Sequence, residues 1–128
     1  MSRTLWVAGF WIALLVCTWF ALSSSPPEAV FAIGDKVLHT SAFLVLTFLL
    51  SIAHFGRRLW PPAAWMLLYG IAIELIQAAL PTRSAEWADL GVDVVGIALG
   101  LLAVRVAGEL AEGLVRGTLT ALGLESKV

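Results

Sequence analysis

An all-α fold, a four-helix transmembrane bundle with a short C-terminal amphipathic tail, is what the sequence predicts. Three observations predict it. The 128 residues are 60% hydrophobic and only 13% charged, against about 45–50% apolar and about 25% charged in ordinary soluble domains. A soluble domain of this length buries too little of its surface to hide so much apolar area, so lipid is the solvent that fits. Four apolar stretches reach or approach the length of about 20 residues that crosses a hydrocarbon core, and short polar breaks separate them.

The first stretch covers residues 5–22 and ends in Ser23-Ser24-Ser25-Pro26-Pro27, a helix-breaking stop. Arg3 before it and Ala21-Leu22-Ser23 after it resemble the flanks of a secretory signal, and Leu14-Leu15-Val16-Cys17 echoes a lipoprotein box. The apolar run is longer than a signal core, no water-soluble domain follows, and Val16 stands where a small residue is required. The stretch is therefore read as a retained helix. Cys17 has no second cysteine with which to form an internal disulfide.

The second span covers residues 37–53, just after Asp35-Lys36. The third covers residues 60–80, with Pro61 and Pro62 in the first turn, where proline is tolerated, and Pro81 closing it. The fourth covers residues 89–107. These spans make residues 1–107 one membrane domain. In residues 108–128, Leu110, Leu114, Leu119 and Leu122 continue a ragged stripe from Val106 among Glu109, Glu112 and Arg116. That tail reads as a cytoplasmic amphipathic or flexible segment, or as a frayed extension of the fourth span. Gly108, Gly113, Gly117 and Gly123 weaken both helical readings.

Lysine and arginine in short loops set the orientation. Arg3, Arg57, Arg58, Arg105, Arg116 and Lys127 lie on one side, and only Lys36 and Arg83 on the other. Both termini are therefore expected in the cytoplasm, with residues 23–36 and 81–89 outside. The net charge of −1 points to no nucleic acid.

The polar residues of the spans gather at the outer end. Glu74 lies six residues before Leu80, roughly 9 Å below the end of its span. A charge at that depth is costly and starts as a functional hypothesis. Gln77 shares its face three residues on. Asp35 and His39 are spaced i, i+4 at the start of the second span, with Lys36 beside them. Asp89 and Asp93 repeat that spacing at the start of the fourth. Arg83 and Glu86 lie in the intervening loop. Trp87, Trp60 and Trp65 suit interfacial anchoring.

Plainer roles stand beside these. Asp35 and Asp89 suit helix N-caps. His39 alone fits a packing role at a helix end, Arg83 fits a clamp on Glu86 or Asp89, and Glu74 fits a structural ion pair. Gly96 and Gly100 are spaced for close helix packing.

Taken together, Asp35-Lys36-x-x-His39, Tyr69-Gly70-x-x-x-Glu74-x-x-Gln77, Arg83-Ser84-x-Glu86-x-x-Asp89 and Asp93-x-x-Gly96 resemble the VanZ-like family over roughly residues 5–107. Asp93 departs from the asparagine that the family often carries. The resemblance implies a four-helix, multi-pass protein of a bacterial inner (cytoplasmic) membrane. The founding member is associated with low-level resistance to the glycopeptide teicoplanin.

Two functions compete, with a third behind them. In the first, the outer site acts on or binds a lipid-linked cell-envelope molecule. Glu74 and His39 are then the catalytic candidates, as acid–base groups. Lys36, Arg83, Gln77, Asp35, Glu86, Asp89 and Asp93 are the substrate-binding candidates, with Lys36 and Arg83 on an anionic head group. In the second, the cluster is structural, or presents a surface to a glycopeptide, an envelope precursor or a partner protein. The third is transport, which needs a homo-oligomer. No cofactor is assigned. No metal site is assigned either, although His39, Glu74, Asp89 and Asp93 carry donors suited to a divalent cation. An open cleft above Glu74 would favour catalysis, and a packed cluster a structural role.

Overall fold

The computed structural model describes residues 2–24, 34–81 and 86–123. They form α1 (Arg3–Leu22), α2 (Asp35–Leu50), α3 (Trp60–Ala79) and α4 (Trp87–Ala121). The last turn of α2 widens into a π-helical turn over Ser51–Phe55. The fold is all-α, and its four helices are each long and apolar enough to cross a membrane.

The helix ends follow local chemistry. Pro61 and Pro62 occupy the first positions of α3, where their missing amides cost nothing. Gly34 precedes α2 at φ 88° and Gly56 follows the π-helical turn at φ 60°; both conformations strain a residue with a Cβ. The π turn closes through Gly56 N–H to the Ser51 carbonyl, while Ser51 Oγ donates back to the Thr47 carbonyl at 2.7 Å.

The second and fourth helices depart from their expected starts. The second begins at Asp35, so Asp35 and Lys36 sit in its first turn. The fourth begins at Trp87 and runs unbroken for 35 residues. At 1.5 Å per residue that is roughly 50 Å, against about 30 Å of hydrocarbon. The tail read as amphipathic or flexible is thus, as far as Ala121, a continuation of α4. Pairs one turn apart lie along this stretch and support it weakly: Arg105–Glu109 at 3.5 Å and Glu112–Arg116 at 3.9 Å. Arg57, from the loop after α2, also pairs with Glu112.

The core is small and the molecule is apolar outside. Phe10 of α1, Phe43, Leu46 and Leu50 of α2, Met66 of α3 and Ile97 of α4 pack together. Trp19 is 73% exposed and Leu15 68%, whereas Glu74, Gln77, Asp89 and Asp93 are buried. Water would penalise that arrangement and lipid favours it. Trp60, Trp65 and Trp87 are exposed at helix starts, as anchoring requires.

The tightest packing is between α2 and α4. A Cβ on Gly96 would stand 2.5 Å from the Thr40 carbonyl oxygen, and one on Gly100 2.7 Å from that of Leu44. Small residues one turn apart are what let two backbones approach so closely. The contacts run in parallel register, Lys36 beside Asp89, then His39 beside Asp93, then Thr40 beside Gly96 and Leu44 beside Gly100. Both helix N-termini therefore lie at one end of the bundle.

Candidate functional site

That shared end carries the polar cluster. Parallel α2 and α4 bring Asp35, Lys36, His39, Asp89 and Asp93 from their first two turns, and α3, arriving from the opposite direction, adds Glu74 near its C-terminus. Two neighbouring helix N-termini, each equivalent to roughly half a positive charge, favour carboxylates there.

Two bonded groups make up the cluster. In the outer one, Lys36 Nζ lies 3.3 Å from Asp89 Oδ1 and 3.6 Å from Glu86 Oε2. Lys36 and Glu86 are more than half exposed, while Asp89 is buried. In the inner group, His39 Nδ1 lies 2.9 Å from Asp93 Oδ1. The second oxygen of Asp93 lies against Gly70 of α3, where a Cβ would come within 3.0 Å of it. Glu74 joins the two groups. Its Oε2 accepts the Glu86 backbone N–H at 3.2 Å, and its Oε1 is buried with no hydrogen-bond partner among the described residues.

Seven of the sequence-expected site residues are thus brought together: Asp35, Lys36, His39, Glu74, Glu86, Asp89 and Asp93. Arg83 lies outside the described residues. Gln77 takes another direction, its amide nitrogen donating to the Ala21 carbonyl of α1 at 2.9 Å. It ties α1 to α3 beside the cluster. Tyr69 does likewise, its hydroxyl 2.9 Å from that of Thr18. The N-cap reading of Asp35 and Asp89 is corrected: Gly34 and Glu86 are the capping positions, neither with a side-chain cap bond, and both aspartates lie inside the first turns. There they still meet the favourable end of the dipole.

One residue escaped the sequence reading. Gly70 was visible only as part of a motif, yet it makes the space that Asp93 fills.

Chemically, the inner group can hold or exchange a proton among an imidazole and two carboxylates. Nitrogen and oxygen donors of His39, Glu74 and Asp93 all lie within 4.8 Å of one another, and those of Asp35, His39 and Asp89 do too. Either trio is a cation-type donor set.

Apolar outside, polar at one inner end and crossed by four long helices, the chain is a multi-pass membrane protein with a buried ionisable site. It belongs to the VanZ/LLP1 family, whose model matches residues 5–108. That match takes in the four spans and the whole cluster, and stops near the level where α4 outgrows the bundle. No curated protein and no solved structure gives a match.

Proposed function

We propose that the polar end of the bundle faces outward from a bacterial cytoplasmic membrane and binds an anionic, lipid-linked cell-envelope molecule, on which Glu74 and His39 perform acid–base chemistry. The observation that carries this reading is the unpaired oxygen of Glu74, buried beside His39 and Asp93. A carboxylate that only held helices together would have both oxygens engaged, since an unsatisfied buried acceptor costs about 1–3 kcal/mol. Such an arrangement is retained where the charge or proton is used.

Lys36, half exposed above the buried groups, is the cation placed to meet a phosphate or carboxylate head group. By sequence, Arg83 joins it. The six-to-two basic asymmetry supports the outward orientation. Membership of the VanZ/LLP1 family supports an envelope setting, and altered teicoplanin susceptibility is the phenotype to look for.

A second, non-catalytic reading is favoured by burial. Glu74, Asp89 and Asp93 are all buried, as a packed structural cluster requires. A deletion strain complemented with wild type or with Glu74→Gln, at matched protein levels in the membrane, separates the two. Envelope-lipid composition and teicoplanin susceptibility restored by wild type alone support chemistry at Glu74. Equal restoration by both leaves the cluster a structural or binding role.

A further inference from the structure

We propose that His39, Glu74 and Asp93 form a binding site for one divalent cation. The acid–base reading above requires no ion, so this goes beyond it. The three residues come from α2, α3 and α4, and their donor atoms lie within 4.8 Å of one another. Mutual proximity alone would mean little. The second observation is the orphaned Oε1 of Glu74, on a residue 7% exposed: a buried oxygen at this group with no hydrogen-bond partner among the described residues.

One of the distances is already that of coordination. His39 Nδ1 and Asp93 Oδ1 are 2.9 Å apart, and adjacent ligands of an octahedral ion at about 2.1 Å stand roughly 3.0 Å from each other. The contact serves as a hydrogen bond without the ion and as an edge of the coordination shell with it. Charge argues the same way. Asp35, Glu74, Glu86, Asp89 and Asp93 are set against only Lys36 and His39 among the described residues. Lys36 is already shared by Asp89 and Glu86, which among the described residues leaves Glu74 and Asp93 facing one imidazole in a low-dielectric setting. A divalent ion neutralises those two carboxylates.

The neighbouring trio of Asp35, His39 and Asp89 is the weaker candidate, because Asp35 is exposed and Asp89 is bound to Lys36. One imidazole and two carboxylates suit borderline-to-hard ions such as Mn²⁺ or Zn²⁺. Three protein donors leave positions free for water or for an oxygen of an anionic ligand.

The test is Mn²⁺ binding to the full chain, purified in detergent, stripped with chelator and titrated while free Mn²⁺ is read by EPR. Saturable binding of a single ion per chain is expected, with a Mn²⁺-dependent rise in Tm. Glu74→Gln and Asp93→Asn should each weaken binding roughly tenfold or more, by analogy with lost metal-site contacts, and Asp35→Asn should leave it unchanged. Absence of saturable binding and of any Tm response in the wild-type protein overturns the proposal, and needs no variant to fold. So does binding that survives both Glu74→Gln and Asp93→Asn, or that is lost with Asp35→Asn alone. None of these results touches the complementation test of Glu74, so the two readings fail separately.

Discussion

Asp93 on α4 and His39 on α2 meet at 2.9 Å, about one helical turn from the point where Gly96 presses against the Thr40 carbonyl. The two facts are one piece of geometry. Without a side chain at Gly96 the helices approach closely, and the close approach puts the acid within reach of the imidazole. Packing in the middle of the bundle thus sets the chemistry at its end.

Gly96→Ala should therefore destabilise the bundle by about 1–3 kcal/mol, the usual cost of overpacking. The added Cβ meets a carbonyl oxygen and the Phe43 Cβ, neither at the far end of a flexible side chain. Gly91, on the same helix with nothing within 4 Å, is the control. There alanine should be neutral or stabilising by up to about 1 kcal/mol from helix propensity. Thermal unfolding in detergent compares the two. Equal stability would show that α2 and α4 are not in tight contact at Gly96.

Asp93→Leu should cost about 1–3 kcal/mol, because it strands the His39 ring next to an apolar neighbour. Asp93→Asn keeps the shape and a polar partner for Nδ1, and should fold close to wild type. A folding loss as large for asparagine as for leucine would mean that the negative charge, and not the bond, holds the helices.

Gly70→Ala acts on the site more than on the fold. Its Cβ would crowd the end of the Asp93 carboxylate at 3.0 Å and the Phe43 ring at 3.2 Å. Both can shift, so the stability loss should be smaller than for Gly96→Ala, while complementation by the variant falls. A variant with wild-type function would remove Gly70 from the list of residues that position Asp93.

The four spans, their order and the polar end were legible in the sequence because each had a local cause. Pro61-Pro62 marks a helix start, and the i, i+4 pairs Asp35/His39 and Asp89/Asp93 mark one end of two helices. What was not legible depends on helix rotation. Asp35 and Asp89 each stand four residues before a polar partner, His39 and Asp93, yet Asp89 is buried and Asp35 exposed. Gln77 shares a face with Glu74 but donates toward α1. The long reach of α4 was hidden for a different reason. Its glycines argue for a break, and its contact with Arg57, more than fifty residues earlier, is one that no local pattern reveals.

The orientation has its own test. Reporter fusions after Leu22 and Pro81 should signal outside and those after Gly56 and Ala111 inside, as the excess of arginine on one side requires. The reverse pattern would move Glu74 and its neighbours to the cytoplasmic face and end the outer-leaflet reading.

Glu74→Gln is the substitution on which the role of the cluster turns, and its effect on folding can be argued from the bonds. Oε2 of Glu74 accepts from the Glu86 amide, while Oε1 has no partner. A glutamine can keep its oxygen toward Glu86 and put its NH₂ where Oε1 stands, with a carboxylate oxygen of Asp93 within 4.8 Å of the Glu74 carboxylate. The variant should then lose little stability, since the bond from Glu86 is kept and Oε1 has no bond to give up. A purely structural Glu74 predicts the opposite, because exchanging a charge that balances a buried cation leaves that cation unpaired. Thermal unfolding at neutral pH without added metal reads the difference. A large drop in Tm would show that the Glu74 charge holds the bundle together. An unchanged or higher Tm, beside lost complementation, would leave its proton or its donor atom as what the bundle keeps it for.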